Sequence, residues 1–293
     1  GNILKESRLP HPGKDSEACY QQLVVMLETL LAEARQDGVT IRGIGVGAPG
    51  ITDYAHGVVR WAPSLDWRNF PLRKRLVDHF NLPVIVENDV NLSALGELWF
   101  GSEQNVDSLV LLSVGTGIGA GIMVDGAIFR GAHQAAGEVG HLLPDRSFMG
   151  WKNRRFGATE EMASTTGILQ RAREKLRDQG HAQAGKPIAL EDVFAAYAGG
   201  EPWAVEVLGE TADYLAMCVI ALGVTFDPDV IVLGGDLAQF QVMVELTRER
   251  IQGVLLPEIK VVTSALGRQA AVMGAITNVL HLTADFYVLR SMA

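Results

Sequence analysis

Cysteine is scarce in this sequence: Cys19 and Cys218 are the only two among 293 residues. Two cysteines make no disulfide framework, and we expect both to be buried, reduced thiols of a cytoplasmic protein. The chain also lacks a signal-peptide pattern and any apolar run of the roughly 18–20 residues that a membrane span needs. These absences exclude a small disulfide-stabilised domain and predict no membrane partner.

Positive charge is in short supply as well. There are 25 Lys and Arg residues against 34 Asp and Glu residues, which gives a net charge of -9. Because nucleic acids and anionic membranes attract basic surfaces, this acidic balance argues against the chain binding either of them. Hydrophobic residues, by contrast, make up 48% of the chain. That proportion predicts a sizeable core in one large domain or two lobes.

Segments with the helical period and the strand period alternate along the chain, which is typical of a mostly parallel sheet with helices on its faces. Both halves repeat this plan, and the duplication predicts two lobes with a cleft between them. Residues 1–13 are predicted to belong to a strand that has already begun. Predicted helices cover 17–37, 67–80, 90–101, 159–178, 191–198, 202–224, 240–252 and the chain from Ala270, and predicted strands cover 41–50, 82–89, 109–130 (as two strands), 228–237 and 259–266.

The stretch LVLLSVGTGIGAGIMVDG, residues 109–126, changes from a buried strand to alternate glycines and back to a strand. Glycines at a strand end let backbone N–H groups come close to phosphate oxygens, and Thr116 could add a hydroxyl. A tight β-hairpin is the alternative interpretation, since glycine is also the usual turn residue. Because a strand follows the glycines, a dinucleotide-binding fold does not fit. The alternating glycines are Gly115, Gly117, Gly119 and Gly121.

Polar residues end another buried strand in the segment VENDVN, residues 86–91. A carboxylate there can accept the proton of a hydroxyl nucleophile, as phosphoryl transfer requires. Asn88 and Asp89 are equally suited to cap the helix that follows. The residues by themselves leave both interpretations open.

Two further segments could contribute to a polar site. In GEVGH, residues 137–141, Glu138 and His141 lie three apart in a glycine-rich loop and could converge on one small ligand. A solvated loop is the alternative. A buried strand ends in Gly234 and Gly235, where a flat base or a ribose could rest on a backbone without side chains. A simple turn explains these two glycines equally well.

In their order along the chain, these segments resemble the ROK family of sugar kinases and sugar-responsive repressors. The most specific segment is LLSVGTGIGAGIMVDGAIFRGAHQAAGEVGH, residues 111–141, and GVGAPG, WAPSLDWRNFPL, ENDVNLSALGE, IVLGG and SALGRQAAVMGA also match in order. The resemblance covers essentially the whole chain. It implies the α/β, two-lobed, actin-like ATPase fold, which is ribonuclease H-like. The N-terminal lobe would comprise 1–108 and 277–293, and the C-terminal lobe 109–276.

The resemblance also implies roles for the motif residues in a kinase that uses ATP and Mg²⁺ to phosphorylate a hydroxyl of a glucose-like hexose. Asp89 would be the general base that deprotonates that hydroxyl. The sugar would be held by Gly50, Asn88, Glu138, His141 and Glu160. Gly115, Thr116, Gly117 and Gly119 would lie under the nucleotide phosphates, with Gly234 and Gly235 near the adenosine.

The sequence departs from the family pattern after the histidine. The family usually carries CxCGxxGCxE there, and its three cysteines bind a structural zinc ion together with that histidine. The aligned run here is WKNRRFGATE, residues 151–160, with Trp151, Asn153 and Ala158 at the cysteine positions. His141 alone cannot close a tetrahedral site, so we expect no structural zinc. The loop would instead be held by packing of Phe148, Trp151 and Phe156.

A second departure concerns the start of the chain. Family kinases begin with a strand ending in DxGxT, whose aspartate helps to position magnesium, and this motif is absent here. We expect that the natural protein has a segment before residue 1, that the first strand or strands of the fold are missing, and that this chain alone is a poor kinase. The alternative function is the sugar-sensing domain of a ROK repressor whose DNA-binding part lies outside the chain. Either protein would bind a small sugar, and the resemblance implies a homo-oligomer such as a dimer.

Overall fold

The computed structural model describes residues 2–103, 106–150, 157–181, 185–255 and 258–291, with side chains in the last helix described as far as Leu282. The chain forms two compact units. Unit 1 comprises Gly1–Trp99 together with Ala271–Ala293, and unit 2 comprises Phe100–Ala270. Unit 1 is therefore discontinuous in sequence, whereas unit 2 is a single stretch.

The described residues form nine α-helices and ten strands. The helices are α1 (Ser16–Gln36), α2 (Leu72–Phe80), α3 (Asp89–Phe100), α4 (Ala158–Ala163), α5 (Thr165–Asp178), α6 (Leu190–Ala198), α7 (Pro202–Phe226), α8 (Gln241–Ile251) and α9 (Ala270–Ser291). The strands are β1 (Ile44–Ala48), β2 (Ile51–Asp53), β3 (Val58–Ala62), β4 (Trp67–Phe70), β5 (Val84–Asn88), β6 (Leu109–Val114), β7 (Ile118–Val124), β8 (Ala127–Ile128), β9 (Val230–Gly234) and β10 (Lys260–Thr263).

Unit 1 contains a parallel pair of strands and a small antiparallel sheet. β1 runs parallel to β5 with Ala48 opposite Asn88, and β2, β3 and β4 form the antiparallel sheet. Helix α9 packs closely on β1, since a Cβ built on Gly45 would lie 2.9 Å from the carbonyl oxygen of Ala275. The parallel register brings the segment after β1 next to the carboxyl end of β5, where the polar motif begins.

Two expectations about unit 1 are wrong. Residues 2–13 contain neither helix nor strand. Their side chains are exposed, Leu4 by 76%, so they do not pack against a sheet. The segment predicted as one helix over 67–80 begins instead as strand β4, and the helix starts only at Leu72, after Pro71. In β4, the Trp67 ring stacks on Phe70 with the ring centroids 4.4 Å apart, which fixes the extended segment against the core.

Unit 2 is built on a five-stranded sheet in the order β10-β9-β6-β7-β8. β6 runs antiparallel to β7 and parallel to β9, with Ser113 opposite both Gly119 and Gly234. Apolar side chains of the sheet and of helices α5 to α8 form one continuous core. Because β6 and β9 are parallel neighbours, the glycine motifs at their carboxyl ends are brought to the same edge of the sheet.

Helix α7 is, by length and composition alone, long and apolar enough to cross a membrane, which the sequence analysis did not anticipate. An 18-residue window of this helix has a mean hydropathy of 1.6, and 56% of that window is buried within the protein. Trp203, Leu208 and Leu215 on this helix are almost fully buried in the core of unit 2. Its composition is that of a core helix. It also carries Cys218, where burial raises the thiol pKa to about 12.

The turn between β2 and β3 is held by Asp53, which is 6% exposed. Burial raises the pKa of its carboxyl, but hydrogen bonds from Arg60 and from the ring and backbone of His56 outweigh burial and lower the pKa from 3.8 to about 2. A depressed pKa contributes stability that is present above pH 3.8 and is lost as the pH falls towards about 2.

We therefore expect Asp53→Asn to lower the free energy of unfolding at pH 7, because the variant loses the charge that these donors bind. The difference from wild type should shrink as the pH falls through the range between the two pKa values. Urea denaturation at a series of pH values measures it. A variant as stable as wild type at pH 7 would contradict the role given to Asp53.

Candidate functional site

The predicted phosphate loop is the connection of a tight β-hairpin in unit 2. Gly115, Thr116 and Gly117 join the antiparallel strands β6 and β7. The turn is closed by a hydrogen bond of 2.9 Å from the N–H of Gly115 to the carbonyl oxygen of Gly117, and Thr116 at its tip is exposed. Gly119 lies within β7 and not in the turn. The hairpin interpretation is thus right as geometry, and phosphate binding by the turn stays a prediction.

The paired glycines after β9 lie against this turn. Gly235 has a φ of +76°, and a Cβ there would lie 2.5 Å from the carbonyl oxygen of Val114, so glycine is required for this approach. The next residue also reaches the turn, since a Cβ built on Gly115 would lie 3.4 Å from Oδ2 of Asp236. The two glycine motifs are far apart in the sequence, but the pairing of β6 with β9 makes them adjoin one another.

A pocket of about 360 Å³ opens beside these glycines at the carboxyl ends of β9 and β10. The guanidinium of Arg268 lies 3.8 Å from the carboxylate of Asp236 at this pocket, and both side chains are partly exposed. A pocket of a few hundred Å³ whose lining carries one positive and one negative side chain suits a small polar ligand. Its lining comprises Gly235, Asp236, Ala238, Gln239, Ser264, Ala265, Leu266, Gly267 and Arg268.

Three predicted sugar ligands converge in unit 2. Glu138 directly precedes the short 3-10 helix Val139–His141, which His141 ends, and Glu160 lies in α4. The charge of His141 acts on both carboxyl groups, and the charge of Glu138 acts on Glu160. One oxygen of Glu160, Oε2, accepts a hydrogen bond of 3.3 Å from the N–H of Ile118, the first residue of β7.

The surrounding protein raises the pKa of both carboxyl groups. Neighbouring atoms that displace water are the main cause of the raised pKa at Glu138, although the residue itself is exposed, and the charge of His141 opposes the shift. Burial is also the main cause at Glu160, where the Ile118 N–H and His141 oppose it and Glu138 adds to it. Carboxyl groups with raised pKa values gathered around a histidine are typical of ligand sites.

Hydrogen bonds hold the segment that carries Glu138 and His141. The N–H of Ala120 in β7 donates to the carbonyl oxygen of Gly137 over 2.7 Å. The hydroxyl of Thr159, at the start of α4, donates to the carbonyl oxygen of Leu142 over 2.8 Å. These bonds tie the segment to both β7 and α4.

The packing predicted to replace the zinc site lies mostly outside the described residues. Trp151, Asn153 and Phe156 fall there, while Phe148 is half-buried and Ala158 is buried at the start of α4. Within the described ranges, no three His, Cys, Asp or Glu side chains gather as a metal site. The absence of a structural zinc ion stays a prediction.

In unit 1, Asn88 joins the end of β5 to the start of α3. Its Oδ1 accepts hydrogen bonds from the N–H groups of Val90 and Asn91, at 2.9 and 3.0 Å, which is the geometry of a helix N-cap. Its Nδ2 donates to the carbonyl oxygen of Gly50 over 2.9 Å. The capping interpretation is thus right for Asn88, and Asp89 begins the helix itself.

A buried carboxylate supports this turn. Glu87 is 1% exposed, and its Oε1 accepts hydrogen bonds from the N–H of Asn88 at 2.8 Å and from Nδ2 of Asn91 at 3.1 Å. A buried charge that is satisfied in this way fixes the direction in which β5 passes into α3. The position of Asp89 therefore depends on Glu87 as well as on Asn88.

Asp89 lies at a groove of about 430 Å³ in unit 1, between β1 and α9. Its Oδ1 accepts a hydrogen bond of 2.9 Å from the N–H of Val90, which orients the carboxylate. Gly47 lies beside it, since a Cβ built there would be 3.4 Å from the Cβ of Asp89. The missing side chain at Gly47 leaves that flank of Asp89 accessible from the groove.

The structure gives three further residues a place in these clusters: Glu87, whose supporting role the sequence did not predict, and Asp236 and Arg268 at the pocket. Asp236 follows the glycine pair directly, in LGGD, so its place in the motif was a signal that could have been used. Arg268 lies in the matching segment SALGRQAAVMGA, but that match assigned it no role, and only the neighbouring strands β9 and β10 bring it close to Asp236.

Comparisons with known proteins point to one family. The model of the ROK family matches residues 1–281. The chain is 30% identical over 290 residues to a glucokinase of Halalkalibacterium halodurans, covering 94% of this chain and 87% of the relative. It is 35% identical over 282 residues to a xylose repressor of Caldicellulosiruptor bescii, covering 92% and 70%.

Among solved structures, the chain resembles a ROK family glucokinase from Streptomyces griseus in complex with glucose and AMPPNP. The TM-score is 0.73 at 26% sequence identity, covering 89% of this chain and 87% of that chain. This likeness confirms the predicted α/β fold of the actin-like ATPase type. With the family model matching almost the whole sequence and relatives of two kinds agreeing, the chain belongs to the ROK family.

Proposed function

We propose that the chain is an ATP-dependent sugar kinase that transfers the γ-phosphate of ATP to a hydroxyl of a hexose, with glucose as the first candidate. One observation carries this proposal: the turn at Gly115 and the glycine pair at Gly235 adjoin each other beside a pocket of about 360 Å³. Backbone freed of side chains at strand ends is what a polyphosphate needs for close approach. The similarity to a glucokinase over 94% of the chain supports the same reaction.

Asp89 is the base in the proposed reaction. Its carboxylate takes the proton of the sugar hydroxyl while the hydroxyl oxygen attacks the γ-phosphorus of ATP. The bond from that phosphorus to the bridging oxygen breaks, and ADP leaves with the electron pair. The cap at Asn88 and the hydrogen bond from the Val90 N–H hold Asp89 in one orientation, so little rearrangement is needed for proton transfer.

The proposed sugar ligands act by hydrogen bonding. Asn88 uses one N–H for the Gly50 carbonyl oxygen and has a second for a hydroxyl. The carboxyl groups of Glu138 and Glu160 and the ring of His141 provide further acceptors and donors from unit 2. Hydrogen-bond donors and acceptors of these kinds suit the hydroxyl groups of a sugar.

Magnesium fits the proposed nucleotide site as an ion that arrives with ATP. Mg²⁺ in such sites keeps several waters and is held by one or two carboxylates together with the phosphates. Asp236, whose carboxylate lies beside Gly115, would hold it. When bound, Mg²⁺ supplies neutralisation of the phosphate charge. Without it, the phosphates would meet the carboxylates of Asp236 and Glu160 on two sides of the turn.

We therefore expect the nucleotide to bind as its magnesium complex. The dissociation constant for AMPPNP, measured by calorimetry, should be at least about tenfold higher in EDTA than in magnesium, which corresponds to about 1.4 kcal/mol. Asp236→Asn should narrow that ratio, because it removes one of the repelling charges. Equal affinity with and without magnesium would contradict the arrangement.

A second candidate function is the sugar-sensing domain of a repressor. It is favoured by the 35% identity to a xylose repressor, which is above the 30% identity to the glucokinase. Such a sensor would use the same sugar ligands and would have no need of turnover.

ADP release from ATP and magnesium, followed across a panel of hexoses and xylose, separates the two functions. The assay should use the complete natural gene product. Turnover with one sugar establishes the kinase and names its substrate. Binding of a sugar without ADP release, measured by calorimetry on the same sample, would instead support the sensor.

A further inference from the structure

One carboxylate in unit 2 touches both the predicted phosphate turn and the segment that carries the predicted sugar ligands. Oε2 of Glu160 accepts the hydrogen bond of 3.3 Å from the N–H of Ile118, directly after the turn. A Cβ built on Gly117 would lie 3.3 Å from this oxygen, and a Cβ built on Gly140 would lie 2.9 Å from it. Both glycines thus leave room for the same carboxylate oxygen.

The start of α4, the helix that carries Glu160, is held in place by further contacts. Gly157, just before α4, packs on the backbone of Gly140, since a Cβ there would lie 2.0 Å from the Gly140 carbonyl oxygen. The hydroxyl of Thr159 is bonded to the carbonyl oxygen of Leu142. These contacts anchor the start of the helix that carries Glu160 against the segment 137–142.

We propose that Glu160 is a positioning residue that couples sugar occupancy to the shape of the nucleotide turn. This inference rests on the proposed function. A carboxylate can accept several hydrogen bonds, so Glu160 can receive a sugar hydroxyl while it keeps the Ile118 N–H. A bound sugar then holds the carboxylate against the turn, and the turn is ordered for the nucleotide. By thermodynamic reciprocity, a disturbance of the turn at that contact weakens sugar binding.

The two glycines of the turn provide a matched pair of variants. A methyl group at Gly117 would press on Glu160, whereas a methyl group at Gly115 would face Asp236 at 3.4 Å and would not meet Glu160. Neither glycine has a positive φ, so alanine is compatible with both backbones. The two substitutions differ in that only the methyl group at Gly117, 3.3 Å from the Glu160 oxygen, is closer to a carboxylate than ordinary contact.

The first experiment measures sugar affinity without nucleotide, by calorimetry on the full chain. Gly117→Ala should raise the dissociation constant for the sugar by about 5- to 20-fold, within the usual range of coupling between sites. Gly115→Ala should leave it within about twofold of wild type while weakening AMPPNP. Equal sugar affinity in the two folded variants would overturn the coupling through Glu160.

A second measurement needs no ligand. With selective ¹⁵N labelling of isoleucine, the amide resonance of Ile118 should follow the titration of the Glu160 carboxyl, and Glu160→Gln should abolish that response. Glu138 and His141 remain in this variant, so a response that persists belongs to them and overturns the proposal. If wild type binds neither sugar nor nucleotide while the Ile118 resonance behaves as expected, the contact stands and the kinase function fails.

Discussion

Replacing Asp89 with asparagine should lower kcat for phosphoryl transfer by about 10²- to 10⁴-fold, the range expected for the loss of a general base. The amide cannot take the proton of the sugar hydroxyl. It can still accept the hydrogen bond of 2.9 Å that Oδ1 of Asp89 receives from the Val90 N–H, so the start of α3 should be preserved. The KM for the sugar should change little, because the amide keeps the size of the side chain.

Asp78→Asn is the control for this experiment. Asp78 lies in α2, is 60% exposed, and pairs with Lys74 at 2.5 Å, so its loss should leave kcat unchanged. Steady-state ADP release from both variants and wild type makes the comparison. A kcat for Asp89→Asn within about tenfold of wild type would remove Asp89 from the role of base.

Replacing Gly137 with alanine should destabilise the protein by about 3 kcal/mol or more and abolish sugar binding. Gly137 has a φ of +90°, and a Cβ there would lie 1.8 Å from the carbonyl oxygen of Ala120. That oxygen belongs to the backbone of β7, so the clash is relieved only by moving the segment off the strand. Glu138 follows directly and would be displaced with it. Urea denaturation and calorimetry with the sugar give the two readouts.

Gly126→Ala is a matched control for this substitution. Gly126 also has a positive φ, +74°, but a Cβ there would meet nothing within 4 Å. It should therefore cost only the left-handed backbone strain of about 1–2 kcal/mol. The difference between the two variants isolates the contact with Ala120. Equal destabilisation by both would show that the strand contact contributes nothing.

The sequence alone predicted the alternation of helices and strands and, through motif order, the family. Long elements such as α1 and α7 were predicted to within a few residues, because their apolar spacing extends over several turns. Strands β2, β3 and β4 were missed. They are three to five residues long, and tertiary pairing, with the stacking of Trp67 on Phe70, determines them more than local pattern does.

The candidate site was predictable as a set of residue types and not as a set of contacts. Asn88 satisfied two interpretations in the sequence, and only its hydrogen bonds identify it as the cap of α3. Gly117 was interpreted as room for a phosphate, yet the atom facing it is Oε2 of Glu160. Glu160 lies in α4, 42 residues beyond Ile118, whose N–H it binds. Contacts of this kind depend on side-chain orientation across the fold, which no local spacing encodes.

The discontinuity of unit 1 has a consequence for synthesis on the ribosome. Helix α9 packs on the first part of the chain, since a Cβ built on Gly274 would lie 1.8 Å from the carbonyl oxygen of Leu92. Residues of unit 1 that emerge first must therefore wait for α9 until all of unit 2 has been translated, whereas unit 2 can fold as one stretch. Nascent chains that stop early would leave β1 without its covering helix, and quality-control proteases would encounter that surface first.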